Sequence, residues 1–308
     1  MFLQFLFFLQ LSCLILASSS TTPLPLAKPG CDAKCGNLTI PYPFGIGPNE
    51  NGCSLTGAEL LRYNITCDTT YNPPKPFIRI GKNKTAGPRY RRVEVLSISE
   101  TEVRVKNWPA TMCYQYKTGE VTLAEDVGWM IFGGTPFTVS YTKNRFFGLG
   151  CYTLAFISEP NLNFTTTCST ICDTATNIID GSCSGSGCCQ TLLPKGVKTF
   201  LGYVVSMNTT SESLSFDPCS YSFIGESEKY KFSASDLNGT SFHSKAKDIP
   251  IVLDWAIGNK TCEEAKKDLS SFACQKNSNC SNSDKVPGYL CTCNKGFQGN
   301  PYLSPGCQ

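Results

Sequence analysis

Cysteine decides most of what this chain can become. It holds nineteen cysteines in 308 residues, and eighteen of them follow residue 30. An even set of thiols pairs off only in an oxidising compartment, so the reading turns on whether the chain is exported. Its first residues answer that. Phe2 to Ala17 is an apolar run, and no charged side chain occurs before Lys28. The run falls short of the roughly 20 residues that a spanning helix needs. Small residues follow it, so residues 1–19 are expected to be a signal peptide cleaved after Ser19. Cys13 leaves with it. Asn-x-Ser/Thr sequons at Asn37, Asn64, Asn83, Asn163, Asn208, Asn238 and Asn259 fit the same secreted route. An eighth, at Asn279, has Cys280 at its middle position and is set aside.

Beyond a Ser/Thr/Pro-rich flexible leader at 20–30, the chain reads as strands. Val93–Ile98 and Thr101–Lys106 alternate apolar and polar residues about Ser99-Glu100, the pattern of a hairpin with one wet face. Phe137–Tyr141 and Arg145–Leu149 suggest a second hairpin about Lys143-Asn144, and Tyr152–Ile157 a buried strand. The expected architecture is mainly β and disulfide-rich. Two β-rich, sandwich-like modules at 31–112 and 113–258 precede a small module at 259–308. Glu263–Phe272 has helical composition, with Glu263 four residues before Lys267. Ile249–Ile257 is too short, and too interrupted by Asp254, to cross a membrane.

Cys31, Cys35 and Cys53 frame Gly30-Cys-Asp-Ala-Lys-Cys-Gly-Asn-Leu-Thr-Ile-Pro-Tyr-Pro-Phe-Gly45 and its continuation. Pro41 and Pro43 fix their own φ angles and favour extended residues before them, so Ile40–Phe44 is expected to be a stiff rod. Tyr42 and Phe44 could pack beneath the disulfides or form a sugar platform; packing is the favoured reading. The run resembles the signature that opens the galacturonan-binding region of plant wall-associated receptor kinases. Gly187–Pro194, Phe216–Phe223 and Leu253–Ile257 resemble the C-terminal extracellular region of the same family. The last six cysteines, with Cys291-x-Cys293 and Cys293-Asn-Lys-Gly-Phe297, resemble an epidermal growth factor-like module. That likeness implies Cys262–Cys280, Cys274–Cys291 and Cys293–Cys307. It leaves Cys31, Cys35, Cys53, Cys67, Cys113, Cys151, Cys168, Cys172, Cys183, Cys188, Cys189 and Cys219 without an assigned pairing, although adjacent Cys188 and Cys189 are expected to bond to different partners.

Other chemistries find little support. Cys168-x3-Cys172 and Cys183-x4-Cys188 loosely match zinc spacing, but export favours disulfides. Ile257–Thr261 lacks the acidic pair that calcium-binding growth factor-like modules place before the first cysteine. His243 is the sole histidine and reads as an exposed loop residue. Within the 308 residues there is no Gly-rich loop with a strand lysine, no His-Arg-Asp and no Asp-Phe-Gly. The chain is therefore expected to bind rather than catalyse, without a cofactor. A longer form could carry a membrane span and a Ser/Thr kinase. Nucleic acid is a remote partner for a secreted chain of net charge +3.

Charge placement is more informative than charge total. Between Asp68 and Glu94 no acidic residue occurs, while Lys75, Arg79, Lys82, Lys84, Arg89, Arg91 and Arg92 do, interleaved with Tyr71, Phe77 and Tyr90. Guanidinium forks take carboxylates and aromatic faces stack on sugar rings. A polyuronate such as homogalacturonan (pectin) repeats its carboxylate, so modest contacts can add. The bland alternative is a solvated strand face. Arg89, Arg91, Arg92, Lys75, Arg79 and Tyr90 are the candidate ligand residues, on the condition that the arginines near 90 share a face and stay clear of the protein's own acids. The competing function is a secreted module that binds peptides or receptor ectodomains.

Overall fold

The computed structural model describes residues 24–56, 62–82, 89–125, 127–159, 164–207, 212–239 and 241–308. Their order is mainly β. A seven-stranded sheet runs, in space, Phe137–Val139, Ile251–Trp255, Glu102–Val105, Arg89–Ile98, Lys75–Lys82, Asn64–Asp68 and Gly45–Ile46. The alternating hairpin explains its centre: Val93, Val95, Val103 and Val105 are all buried, and Ser99 N–H closes the turn on the Glu102 carbonyl at 2.8 Å. A five-stranded sheet orders Cys188–Thr191, Asn144–Leu149, Cys219–Glu226, Ala110–Tyr114 and Val121–Glu125. Its middle strand Cys219–Glu226 is buried at every residue, as a strand covered on both faces must be. A four-stranded sheet holds Val127–Ile131, Thr199–Ser206, Thr153–Ser158 and Thr165–Ser169.

These sheets interleave across the boundary expected near residue 112. Phe137–Val139 and Ile251–Trp255 come from the later region yet extend the sheet of the first. Phe137–Val139 and Asn144–Leu149 consequently do not form the expected hairpin. The Asn144 amide donates to the Ser140 and Val252 carbonyls at 2.7 and 2.8 Å, turning the chain from one sheet into another. One apolar core unites Phe44, Tyr63, Phe137, Trp255, Tyr289 and Tyr302, drawn from all three stretches.

Among the described residues nine disulfides staple the fold. Cys31–Cys53 and Cys35–Cys67 close the first stretch. Cys113–Cys219 links two residues already paired in register across neighbouring strands. Cys151–Cys172, Cys168–Cys189 and Cys183–Cys188 follow, so adjacent Cys188 and Cys189 do bond to different partners. The small module has Cys262–Cys280, Cys274–Cys291 and Cys293–Cys307, the order that the growth factor resemblance implies. A piece this small buries too little to stand without such links.

Two local expectations need correcting. Residues 41–44 form a turn and not a rod: Phe44 N–H donates to the Pro41 carbonyl at 3.0 Å, and the Tyr42–Pro43 bond is cis. Proline's fixed φ suits a turn as well as an extended strand. Gly45 follows because a Cβ there would strike the Cys53 carbonyl. The helix expected over Glu263–Phe272 is shorter and begins earlier, at Cys262–Ala265, where Thr261 and Glu264 form a capping box.

Candidate functional site

Strand alternation separates the two arginines that the sequence sets side by side. In Arg89–Ile98, Arg91 lies on the face of Val93 and Val95, whereas Arg92 lies on the other, exposed face. The condition set for a single basic face therefore fails at this pair. Arg91 is committed to the protein itself. Its guanidinium sits between the Trp108 and Trp129 rings, 3.9 and 4.4 Å from their centres, and donates to the Trp129 carbonyl at 3.0 Å. Burial lowers its pKa to about 10, and Glu125 pulls the other way. Arg91 is thus a structural cation.

Arg92 stands on the outer face directly opposite Arg79 in register. Like charges across a strand pair destabilise it unless counter-charge arrives. Part of that counter-charge is internal: Arg92 pairs with Asp68 at 2.7 Å while lying 5.0 Å over the Phe77 ring. Asp68 is held below the usual carboxylate range, first by Thr70 and then by Arg92. Lys75 is likewise paired, with Glu94 at 3.0 Å, and lies over Tyr71 at 5.2 Å. So the outer face brings Lys75, Arg79 and Arg92 together around Phe77 and Tyr71, with acids already among them. The side chains of Arg89 and Tyr90 lie outside the described residues.

A shallow groove of about 160 Å³ continues from this face. Phe77, Arg92, Lys106, Trp108, Met130 and Lys247 line it. Sequence reading missed Lys106, Trp108 and Lys247. Trp108 is 39% exposed, and Lys247 lies 5.6 Å over its ring. Here too the cations have acids: Lys106 with Asp248 at 3.3 Å and Lys247 with Glu125 at 3.8 Å. Lys247 stands on the helix Phe242–Asp248, more than a hundred residues from Arg92 in sequence, and no local signal could have joined them. The same helix carries His243, which is not an exposed loop residue. Its ring lies 3.1 Å from the Thr111 hydroxyl and 3.6 Å from Glu125. Burial first and Lys247 second lower its pKa, and Glu125 opposes them.

The aromatic residues of the opening signature divide. Phe44 is buried against Tyr63, Phe137 and Trp255, whereas Tyr42 is half-buried at a separate cleft. Among the sequons, Asn37, Asn238 and Asn259 are exposed and Asn64 is half-buried in its strand. Asn83, Asn163 and Asn208 lie outside the described residues, as does the expected signal peptide.

Residues 31–107 match the family described as wall-associated receptor kinase galacturonan-binding. That span holds Lys75, Arg79, Arg92 and Lys106. The chain is 34% identical over 293 residues to wall-associated receptor kinase 3 of Arabidopsis thaliana, covering 90% of this chain and 35% of that protein. It is 34% identical to wall-associated receptor kinase 2 over 90% of this chain and 34% of the relative, and 31% identical to wall-associated receptor kinase 1 over 100% and 37%. This is a wall-associated receptor kinase-like extracellular region. It spans about a third of the length of the curated relatives it matches. No solved structure matches it. Among the described residues no helix is long and apolar enough to cross a membrane.

Proposed function

We propose that this wall-associated receptor kinase-like region binds acidic cell-wall polysaccharide, with de-esterified homogalacturonan as the ligand class, outside the cell at the wall or the outer face of the plasma membrane. The observation that carries the reading is the galacturonan-binding family match over 31–107, the span that supplies most of the cation-and-aromatic surface. On that surface Arg79 and Arg92 face each other around Phe77, and Lys106, Trp108 and Lys247 continue the track. The internal ion pairs make it a modest, exchangeable site. A ligand carboxylate replaces an internal one, so each contact contributes little and affinity accumulates along the polymer. No catalytic step belongs to this role; it is the sensing part of a receptor.

The test is retention of the secreted chain on de-esterified homogalacturonan at low and high salt. Retention should be strong at low salt and fall steeply at high salt, because exposed charge contacts are screened. Charge reversal at Arg92 and Lys247 together should weaken it while the protein still melts as the parent does. Equal retention at both salt concentrations, or none at either, would count against the site.

A further inference from the structure

A second cleft, near the signature turn, uses none of these cations. It holds about 530 Å³, within the range of roughly 300–1,000 Å³ for small-ligand sites. Its walls come from the turn at 41–44, the turn at Ser99-Glu100 and the growth factor-like module. That module is fixed in place. The Asn300 amide donates to the Leu26 and Tyr42 carbonyls at 3.0 and 2.6 Å, and the Tyr302 ring lies 5.9 Å from that of Trp255. The cleft is therefore a built feature of the packed modules.

Its lining is aromatic, and many of its polar atoms are already spent. Trp255 Nε1 donates to the Ser99 carbonyl at 3.2 Å, and the Tyr302 hydroxyl accepts from Cys291 N–H at 2.9 Å. Asn300 Oδ1 accepts from Tyr302 N–H at 2.9 Å, and Ser99 Oγ is taken by Glu102 backbone groups at 3.0 and 3.1 Å. Such a surface reads few sugar hydroxyls. It offers rings instead, Phe297 at the mouth being 40% exposed. Among the described residues Glu100 is the one charged group in the lining, and it has no ion pair. Lys28 Nζ lies 5.9 Å over the Tyr42 ring and donates to the Gly52 carbonyl, so it is at Glu100 that a uronate would be repelled and a cation attracted. The chain's own leader forms part of the wall: Leu26 lines the cleft, its carbonyl accepting Tyr42 N–H at 2.8 Å.

We propose that this cleft docks an extended, proline-containing peptide segment carrying one basic side chain. Aromatic-lined grooves favour such segments because a polyproline-type chain is extended before it binds and loses little entropy. Phe297 and Tyr42 would take the prolines, and the Glu100 carboxylate would take the basic group through a charge-assisted hydrogen bond. The assignment is independent of polysaccharide binding.

The experiment is calorimetric titration of the full secreted chain, at low salt, with a capped heptapeptide alternating leucine and proline around a central arginine. A second peptide carries glutamate at that place. The arginine peptide should bind saturably and at least about tenfold more tightly than the glutamate peptide, a difference of about 1.4 kcal/mol. Glu100→Lys should reverse the preference, and Phe297→Ala should weaken the arginine peptide about tenfold. Both side chains are exposed, so the variants should melt with the parent; should either melt earlier, the two peptides on the unaltered protein still decide. Absence of saturable binding, equal affinity for the two peptides, or competition by a neutral gluco-oligosaccharide would overturn the proposal.

Discussion

The Arg91 guanidinium lies 3.9 Å from the centre of the Trp108 ring. With Trp129 on its other side at 4.4 Å, it joins the segment after one sheet's hairpin to the edge strand of another. A cation over an aromatic face contributes about 0.5–2 kcal/mol, more where water is excluded. Arg91→Ala should therefore cost about 1–3 kcal/mol of stability. Arg91→Lys keeps the charge and loses the planar stack, so it should recover only part of this. Arg92→Ala, exposed and ion-paired, should stay within about 0.5 kcal/mol of the parent. Urea midpoints measured with disulfides intact give the order directly. Equal midpoints for Arg91→Ala and Arg92→Ala would remove the structural role given to Arg91.

Asp68 competes with any external carboxylate for Arg92, which it holds at 2.7 Å. If Arg92 touches a uronate, removing that competitor should help. Asp68→Asn is expected to raise affinity for oligogalacturonide about two- to fivefold at low salt, the scale of one exposed ion pair. The gain should shrink as salt screens the surface. Unchanged or weaker binding would place the ligand away from Arg92.

How far the sequence reaches is clearest at these same residues. Cysteine count, the alternating hairpin at Val93–Lys106 and the growth factor-like spacing are local patterns, and each appears in the fold as read. Facing direction was legible too, since alternation alone places Arg91 and Arg92 on opposite sides; reading the basic run as one patch overlooked that period of two. Trp108, Lys106 and Lys247 were not legible. They meet through the packing of a helix at 242–248 against strands more than a hundred residues earlier, and neither composition nor spacing encodes such a meeting. The turn at 41–44 was hidden for a different reason, because the φ that proline fixes suits a turn as well as an extended strand.

Asp217 offers a pH handle unrelated to ligand. Its carboxyl is 3% exposed and accepts Cys151 N–H. Burial pushes it up to about 8, only partly offset by that hydrogen bond. The folded state thus holds a proton that the unfolded chain releases near its ordinary value of about 3.9. Between those two values the native form binds more protons, so this group's contribution to stability is full below about pH 4 and is lost as pH rises towards 8. Asp217→Asn should flatten the curve: the melting temperature of the parent relative to the variant should fall steadily from pH 4 to pH 8. Parallel curves would mean that the carboxyl is not held neutral.

Asn300 decides whether the growth factor-like module acts as a wall or as a loose appendage. Its amide nitrogen serves the Leu26 and Tyr42 carbonyls together, and its oxygen takes Tyr302 N–H. Asn300→Ala leaves the Tyr42 carbonyl and the Tyr302 N–H without their partner, while the Leu26 carbonyl keeps Tyr42 N–H, at a cost of about 1–3 kcal/mol for each orphaned group that stays buried. Asn300→Asp should be worse, since an ionised carboxylate is acceptor-only and would face two acceptor carbonyls. Its damage should deepen as pH rises through the carboxylate range, whereas that of Asn300→Ala should not change there. Hydrogen exchange at Tyr42, whose N–H is bonded to Leu26, reports on the junction itself. Faster exchange at Tyr42 in both variants, with protection retained in the strand Cys219–Glu226, would locate the loss at the module contact. Unchanged exchange at Tyr42 would show that Phe44, Trp255 and Tyr302 hold the module without the amide.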